Sequence, residues 1–230
     1  MKRQYFAVLD TETTINDTVM DFAIVVCDRH GKIYNSCSVL VREFYDPATL
    51  FHDKNANGFW ASANLERRRA NYQNMLDSGT RMLASVTAIN NWINKCIGTY
   101  DPILTAYNLA FDASKCANSG IVLDSFSSRF CLWQAAVGNI CRSKKYKRFV
   151  LDNHRFNNAT DKGNMTFKTD AETVAGFVTG NLITEPHTAL EDARDFEIPI
   201  LQKIVRSKGW RDKIEPYDWK KFQVKDHYNV

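Results

Sequence analysis

Asp10 and Glu12 stand one residue apart at the end of the apolar run Tyr5-Phe6-Ala7-Val8-Leu9. An unbroken run of aromatic, aliphatic and β-branched side chains of this length describes a short strand buried on both faces. Side chains alternate along a strand, so Asp10 and Glu12 emerge on the same side with Cα atoms roughly 6 to 7 Å apart. Two carboxylates that close repel each other and are costly at a sheet end. A divalent cation between them removes both costs, and oxygen-only ligands favour Mg²⁺ or Mn²⁺ over zinc.

An Asp-x-Glu pair is common on surfaces and gains meaning only from partners elsewhere in the chain. Two later segments supply them. Pro102 to Tyr107 reads as a strand, and Asn108 to Lys115 leads into a helix with Asp112 near its first turn and Gly120 as its stop. Thr188-Ala189-Leu190-Glu191 has the spacing of a capping box, with Thr188 as N-cap and Glu191 reaching back. The helix it starts continues through Leu190, Ala193, Phe196, Ile200 and Ile204, with a kink expected at Pro199. His187 then lies just outside that helix, and Asp192 in its first turn, where the macrodipole favours a negative charge. Four acids at element ends and one histidine are what phosphodiester hydrolysis by two metal ions requires. The acids hold ions about 3.5 to 4 Å apart around the scissile phosphate, and the histidine takes a proton from the attacking water.

The remaining elements must position these groups. Met20 to Asp28 and Lys32 to Val41 are strand-like runs joined by Arg29-His30-Gly31, a hairpin in which Gly31 can take a positive φ. Met82, Val86, Ile89, Ile93 and Cys96 recur at helical spacing, so Thr80 to Cys96 reads as an amphipathic helix over one sheet face. Arg129 to Trp133 is a further strand, Gln134 to Cys141 a helix, and Ala171 to Thr179 a short helix. Arg42 to Thr80 and Leu151 to Asp170 read as long loops, the first carrying Arg67-Arg68-Arg69, which could meet phosphates. The densest basic cluster, Arg142 to Arg148, could track a nucleic-acid backbone through Lys144, Lys145, Lys147 and Arg148. Phe111 is expected in the core, and His30, His52, His154 and His227 on the surface.

A chain of 230 residues that is 44% hydrophobic suits one sizeable α/β domain, and a net charge of +4 permits a polyanionic partner without demanding one. The six scattered cysteines form no C-x-x-C pair and read as buried reduced thiols. No apolar run is long enough to span a bilayer and no leader pattern begins the chain, so a cytoplasmic protein without a membrane partner is expected.

Three motifs in order carry a resemblance to a known family: Leu9-Asp10-Thr11-Glu12-Thr13-Thr14, Ala106-Tyr107-Asn108-Leu109-Ala110-Phe111-Asp112, and His187-Thr188-Ala189-Leu190-Glu191-Asp192. The chain resembles the DEDDh branch of the DnaQ-like 3′-to-5′ exonucleases, which includes polymerase proofreading subunits, RNase T and oligoribonuclease. Histidine stands five positions before the last aspartate, as in the histidine branch; the tyrosine branch places its tyrosine four before, where this chain has Thr188. The resemblance implies a ribonuclease H-like α/β fold, a five-stranded mixed sheet flanked by helices, spanning 1–207, with 208–230 an aromatic and basic tail packed on the same domain. It implies two Mg²⁺ or Mn²⁺ ions held by Asp10, Glu12, Asp112 and Asp192, with Asp10 bridging both and His187 as general base. Thr11, Thr13, Thr14 and Asn108 would contact the substrate. Tyr107 departs from the histidine that many relatives carry beside the asparagine. The implied function is 3′-to-5′ exonucleolytic release of nucleoside 5′-monophosphates, preferably from single-stranded DNA. Exoribonuclease or oligoribonuclease activity is the nearest alternative. A non-catalytic nucleic-acid-binding or polymerase-accessory module is the rival from another class, its partner held by the tail through Trp210 and Trp219.

Overall fold

A computed structural model of the chain describes residues 3–51, 59–157 and 165–224. The expectations for His52 and His227, and those for the stretches 52–58, 158–164 and 225–230 of the two long loops and the tail, lie outside the described residues.

β1 (Tyr5–Thr13) runs through the middle of a six-stranded mixed sheet. It pairs antiparallel with β2 (Val19–Asp28), which pairs antiparallel with β3 (Ile33–Val41). The Asp28 to Lys32 turn takes Gly31 at φ 74°, the left-handed conformation glycine adopts without strain. On the other side of β1 lie β5 (Ile103–Ala106) and β6 (Arg129–Cys131), both parallel to it. Five strands were expected. The sixth is β4 (Leu83–Ala84), a two-residue strand parallel to β3 at the sheet edge. It takes the first residues of what reads in sequence as one helix. α2 instead starts at Val86, with Ser85 accepting from the Ala88 N–H at 3.2 Å, and runs to Tyr100. Met82, outside it, is 69% exposed.

Side-chain parity along β1 sorts the core. Phe6 and Val8 point into a cluster built with Leu132, Val174, Ala193, Ile200 and Leu201. These come from α4 (Leu132–Ala136), α6 (Ala171–Thr179) and the long C-terminal helix. Ala7 and Leu9 face the other way, onto Ile89 and Ile93 of α2 and Leu109 and Cys116 of α3 (Leu109–Asn118). Asp10 and Glu12 therefore inherit the side that faces the C-terminal helix, whereas Thr11 faces α3.

Both long loops contain structure. α1 (Phe59–Asp77) occupies much of the first, packing Tyr72, Leu65, Met75 and Leu76 on Met20, Leu40 and Leu50. Its sequence is polar almost all round, and so narrow an apolar stripe gives little helical periodicity. The basic cluster is likewise a helix, α5 (Lys144–Asp152), capped by Ser143 and anchored by buried Tyr146 and Val150. The segment after it forms a small ribbon, β7 (Phe156–Asn157) against β8 (Thr166–Phe167).

The C-terminal helix is not uniform. α7 (Ala189–Glu191) passes into a π-helical segment, Asp192–Glu197, and then into α8 (Ile198–Val205). The expected irregularity thus precedes Pro199, which sits in the first turn of α8 where its missing N–H costs little. The described part of the tail folds back. Trp210 is buried beside Phe130, ring centroids 4.8 Å apart, and Tyr217 stacks on Trp133 at 5.4 Å. Trp219 remains 45% exposed. All six cysteines are free thiols, and no described helix is long and apolar enough to cross a membrane.

The tail's seat gives a direct test. A Cβ on Gly138 would lie 1.7 Å from the Lys213 carbonyl oxygen, a backbone atom that cannot swing aside. Gly138→Ala should destabilise the protein by about 1 to 3 kcal/mol, read as a lower urea midpoint. An unchanged midpoint would mean that the tail does not contribute to the fold.

Candidate active site

The end of β1, the start of α3 and the N-terminal half of the C-terminal helix converge on one acidic centre. Thr11, on the α3 side of β1, donates its hydroxyl to Asp112 Oδ1 at 2.9 Å, which fixes a carboxyl that is only 3% exposed. Asn108, just before α3, takes φ 74° and lets the chain turn sharply from β5 into the helix. Across the centre, Asp192 Oδ2 accepts from the Thr188 N–H at 3.0 Å. Asp21 Oδ2, from β2, accepts from the Ala189 N–H at 3.0 Å. These two carboxylates satisfy the helix N-terminus that a capping box was expected to satisfy. Thr188 instead donates its hydroxyl to Glu191, which also pairs with buried Arg81.

His187 follows from the same construction. It sits at φ 57°, strained for a histidine, and its carbonyl accepts from the hydroxyl of buried Tyr72 at 3.3 Å. Its imidazole is half exposed, and Nδ1 lies 3.9 Å from Glu12 Oε1. One ligand atom each from Glu12, His187 and Asp192 fall within 4.8 Å of one another. Asp192 Oδ1 is buried with no hydrogen-bond partner among the described residues. The Glu12 and Asp192 carboxylates, the second with an orphaned buried oxygen, fit a divalent cation, with the His187 imidazole beside them.

The electrostatics record the crowding. Burial first, then Glu197, Asp112, Glu12 and Asp192, hold the Asp10 carboxyl well above the usual carboxylate range. Burial pushes Glu12 up to about 7 against the opposing pull of Arg68, whose Nη2 lies 2.8 Å from Glu12 Oε2. Asp112 rises to about 7 through burial, opposed by Thr11. Asp192 rises to about 9 through burial and the neighbouring Glu185 and Glu12. Burial and then Arg68 shift the His187 imidazole in the opposite direction, downward.

No protein-family model matches this chain, and no curated protein matches it significantly.

The proposed substrate contacts fare unevenly. Thr13 and Thr14 are buried in the β1–β2 connection, and the Thr14 hydroxyl is engaged with Thr18 at 2.7 Å. Asn108 is exposed at the mouth of the centre. Phe111, expected in the core, is 42% exposed with Lys115 Nζ 4.8 Å from its ring centroid, because it follows Asn108 on the solvent side of α3. The basic residues of α5 make their described contacts elsewhere: Lys147 donates to the Lys221 carbonyl and Arg148 pairs with Asp152. Lys144 and Lys145 are exposed.

Sequence reasoning missed Glu197, and it singled out Arg68 only as one of three arginines that could meet phosphates, not as the partner of Glu12. Glu197 is 2% exposed; Oε1 accepts from the Tyr107 N–H at 3.0 Å and Oε2 has no described partner. Its signal was its place five residues after Asp192, which shares a face with it only in a π-helical turn. Tyr107 itself is anchored by a hydroxyl bond to the Thr169 carbonyl.

Carboxyls with raised folded-state values bind more protons folded than unfolded near neutrality, so stability is greatest at low pH and falls as pH rises. With Glu12 and Asp112 near 7 and Asp192 near 9, metal-free protein should lose melting temperature steadily between pH 5.5 and 8.5. Mn²⁺ competes with those protons and should raise the melting temperature more at pH 8 than at pH 5.5. A flat profile in both conditions would mean the carboxyls are not confined together.

Proposed function

We propose that this chain is a divalent-metal-dependent exonuclease that hydrolyses single-stranded nucleic acid from the 3′ end and releases nucleoside 5′-monophosphates. The observation that carries the reading is the group Glu12, His187 and Asp192, with Asp10 and Asp112 near enough to repel one another and Glu12. The order and spacing of the three motifs agree with it, and the six-stranded mixed sheet flanked by helices is compatible with a ribonuclease H-like fold. Asp10, Glu12 and Asp192 would hold one ion and Asp10 and Asp112 the other. Bound there, Mg²⁺ or Mn²⁺ supplies charge stabilisation to the phosphate undergoing attack.

The chain's own groups divide the remaining work. Thr11 holds Asp112, and the Thr188 N–H holds Asp192, so each carboxylate presents a defined oxygen to the centre. His187, neutral at pH 7 and reached by solvent, accepts the proton of the attacking water. Phe111 and Asn108, exposed beside Asp112, offer a ring face and an amide to the terminal nucleotide. Single-stranded DNA is the substrate proposed first, and RNA the alternative.

One observation favours a binding-only module. Arg68 pairs with Glu12 at 2.8 Å, a countercharge of the protein's own at that carboxylate. It leaves the repulsion among Asp10, Asp112, Asp192 and Glu197 in place, and a protein without metal has no use for that cost.

A gel time course with 5′-labelled single-stranded DNA, single-stranded RNA and duplex DNA, each in Mg²⁺, Mn²⁺ or EDTA, tests the reading. We expect a metal-dependent ladder shortening from the 3′ end, with the fastest lane naming the substrate. Asp10→Ala should nearly abolish it, and His187→Ala should slow turnover about 10²- to 10⁴-fold while sparing substrate binding. Binding without cleavage on every substrate would favour the binding module, and a full-rate Asp10→Ala protein would end the two-metal reading.

A further inference from the structure

α1 carries more than its packing stripe. Arg67, Ala70, Asn71 and Asn74 recur at three, one and three positions along its outer face, and together with Arg68 and Pro186 they line a pocket of about 370 Å³. The pocket lies between α1 and the segment leading into His187. Tyr72 sets that spacing, its buried hydroxyl donating to the His187 carbonyl from the opposite side of the helix.

The lining is chemically one-sided. Two guanidinium groups and two carboxamides line it, with no carboxylate among the described lining residues. Ala70 leaves a shallow floor and Pro186 an apolar wall. Arg68 reaches out of the pocket to Glu12 at 2.8 Å, yet its Nε is buried with no hydrogen-bond partner among the described residues. The pocket thus adjoins the acidic centre at two points, through Arg68 to Glu12 and through Pro186 to His187. Arg68 spends Nη2 on Glu12 and Nη1 on the Phe51 carbonyl at 3.2 Å, which leaves its Nε and the Arg67 guanidinium as the cationic donors of the pocket, and a guanidinium suits phosphate.

We propose that this pocket is a substrate subsite that holds the phosphodiester of the nucleotide adjoining the scissile bond, with Arg67, Asn71 and Asn74 as its contacts and Arg68 shared between it and the acidic centre. The proposal rests on the exonuclease reading for the identity of the strand. It assigns strand binding to α1 rather than to the basic helix α5. Nothing in the contacts is base-specific, so the subsite tolerates any sequence.

Arg67→Ala/Asn71→Ala and Arg67→Glu test it. Both positions lie on the accessible helix face, and alanine is a better helix former than either native residue, so the fold should persist, checked by circular dichroism. Two readouts are taken side by side on a single-stranded octanucleotide: KM and kcat in Mn²⁺, and anisotropy binding in EDTA at several salt concentrations. We expect KM and Kd to rise about tenfold for the double variant and further for Arg67→Glu, with the slope of log affinity against log salt reduced by about one. Unchanged KM, Kd and slope, with wild type cleaving normally, would overturn the subsite and leave the exonuclease reading intact. Wild type that binds but does not cleave would overturn the exonuclease reading, and the Kd comparison would still decide the pocket. Wild type that neither binds nor cleaves would overturn both.

Discussion

Repulsion between buried like charges is the constraint around which this molecule is arranged. Asp10, Glu12, Asp112, Asp192 and Glu197 sit close enough that burial and mutual repulsion raise them all. The fold offsets the cost one carboxyl at a time, each from a different element. Thr11 of β1 serves Asp112, the Thr188 amide serves Asp192, the Tyr107 amide serves Glu197, and Arg68 of α1 serves Glu12. Donors thus reach the centre from β1, from α1 and from the residues just before α3 and α7.

A second buried charge cluster supports the first. Arg81, 4% exposed, lies between Asp21 of β2 and Glu191 of α7. Asp21 in turn holds the Ala189 N–H and the Tyr72 hydroxyl. Helix α1, strand β2 and the start of α7 are thus tied by one polar network directly behind His187. Removing one partner of such a buried pair costs about 3 to 5 kcal/mol, because the other charge remains uncompensated. The network fixes the carbonyl of His187 and leaves its imidazole in contact with solvent.

The parts legible in sequence were those fixed by local rules. An unbroken apolar run gave β1, strand parity put Asp10 and Glu12 on one side, and glycine marked the turns at Gly31 and Gly120. Asp112 and Asp192 stood at helix starts, as their flanking residues indicate. The parts that escaped depend on partners distant in sequence. α1 is stable because Tyr72 and its neighbours meet Met20, Leu40 and Leu50, a contact that its own periodicity barely announces. The Thr188 to Glu191 spacing imitates a capping box, but Asp192 takes the Thr188 N–H that Glu191 would accept, and Asp21, 168 residues away, holds the Ala189 N–H. Arg68 reads as one of three surface arginines until α1 is folded across the sheet end.

The π-helical turn from Asp192 to Glu197 has a consequence for the whole C-terminal helix. A π turn accommodates one residue more than an α turn, so it shifts the phase of everything that follows relative to everything before. The same helix can then present two differently aimed stripes. Ahead of the shift it directs Asp192 toward the strand end; beyond it, Ile200, Leu201 and Ile204 meet the hydrophobic interior, with Glu197 placed at the seam. The turn works as a coupling between two rotational settings, one chosen for polar chemistry and the other for packing. A length change of one residue within it would preserve the composition of both halves and lose their alignment.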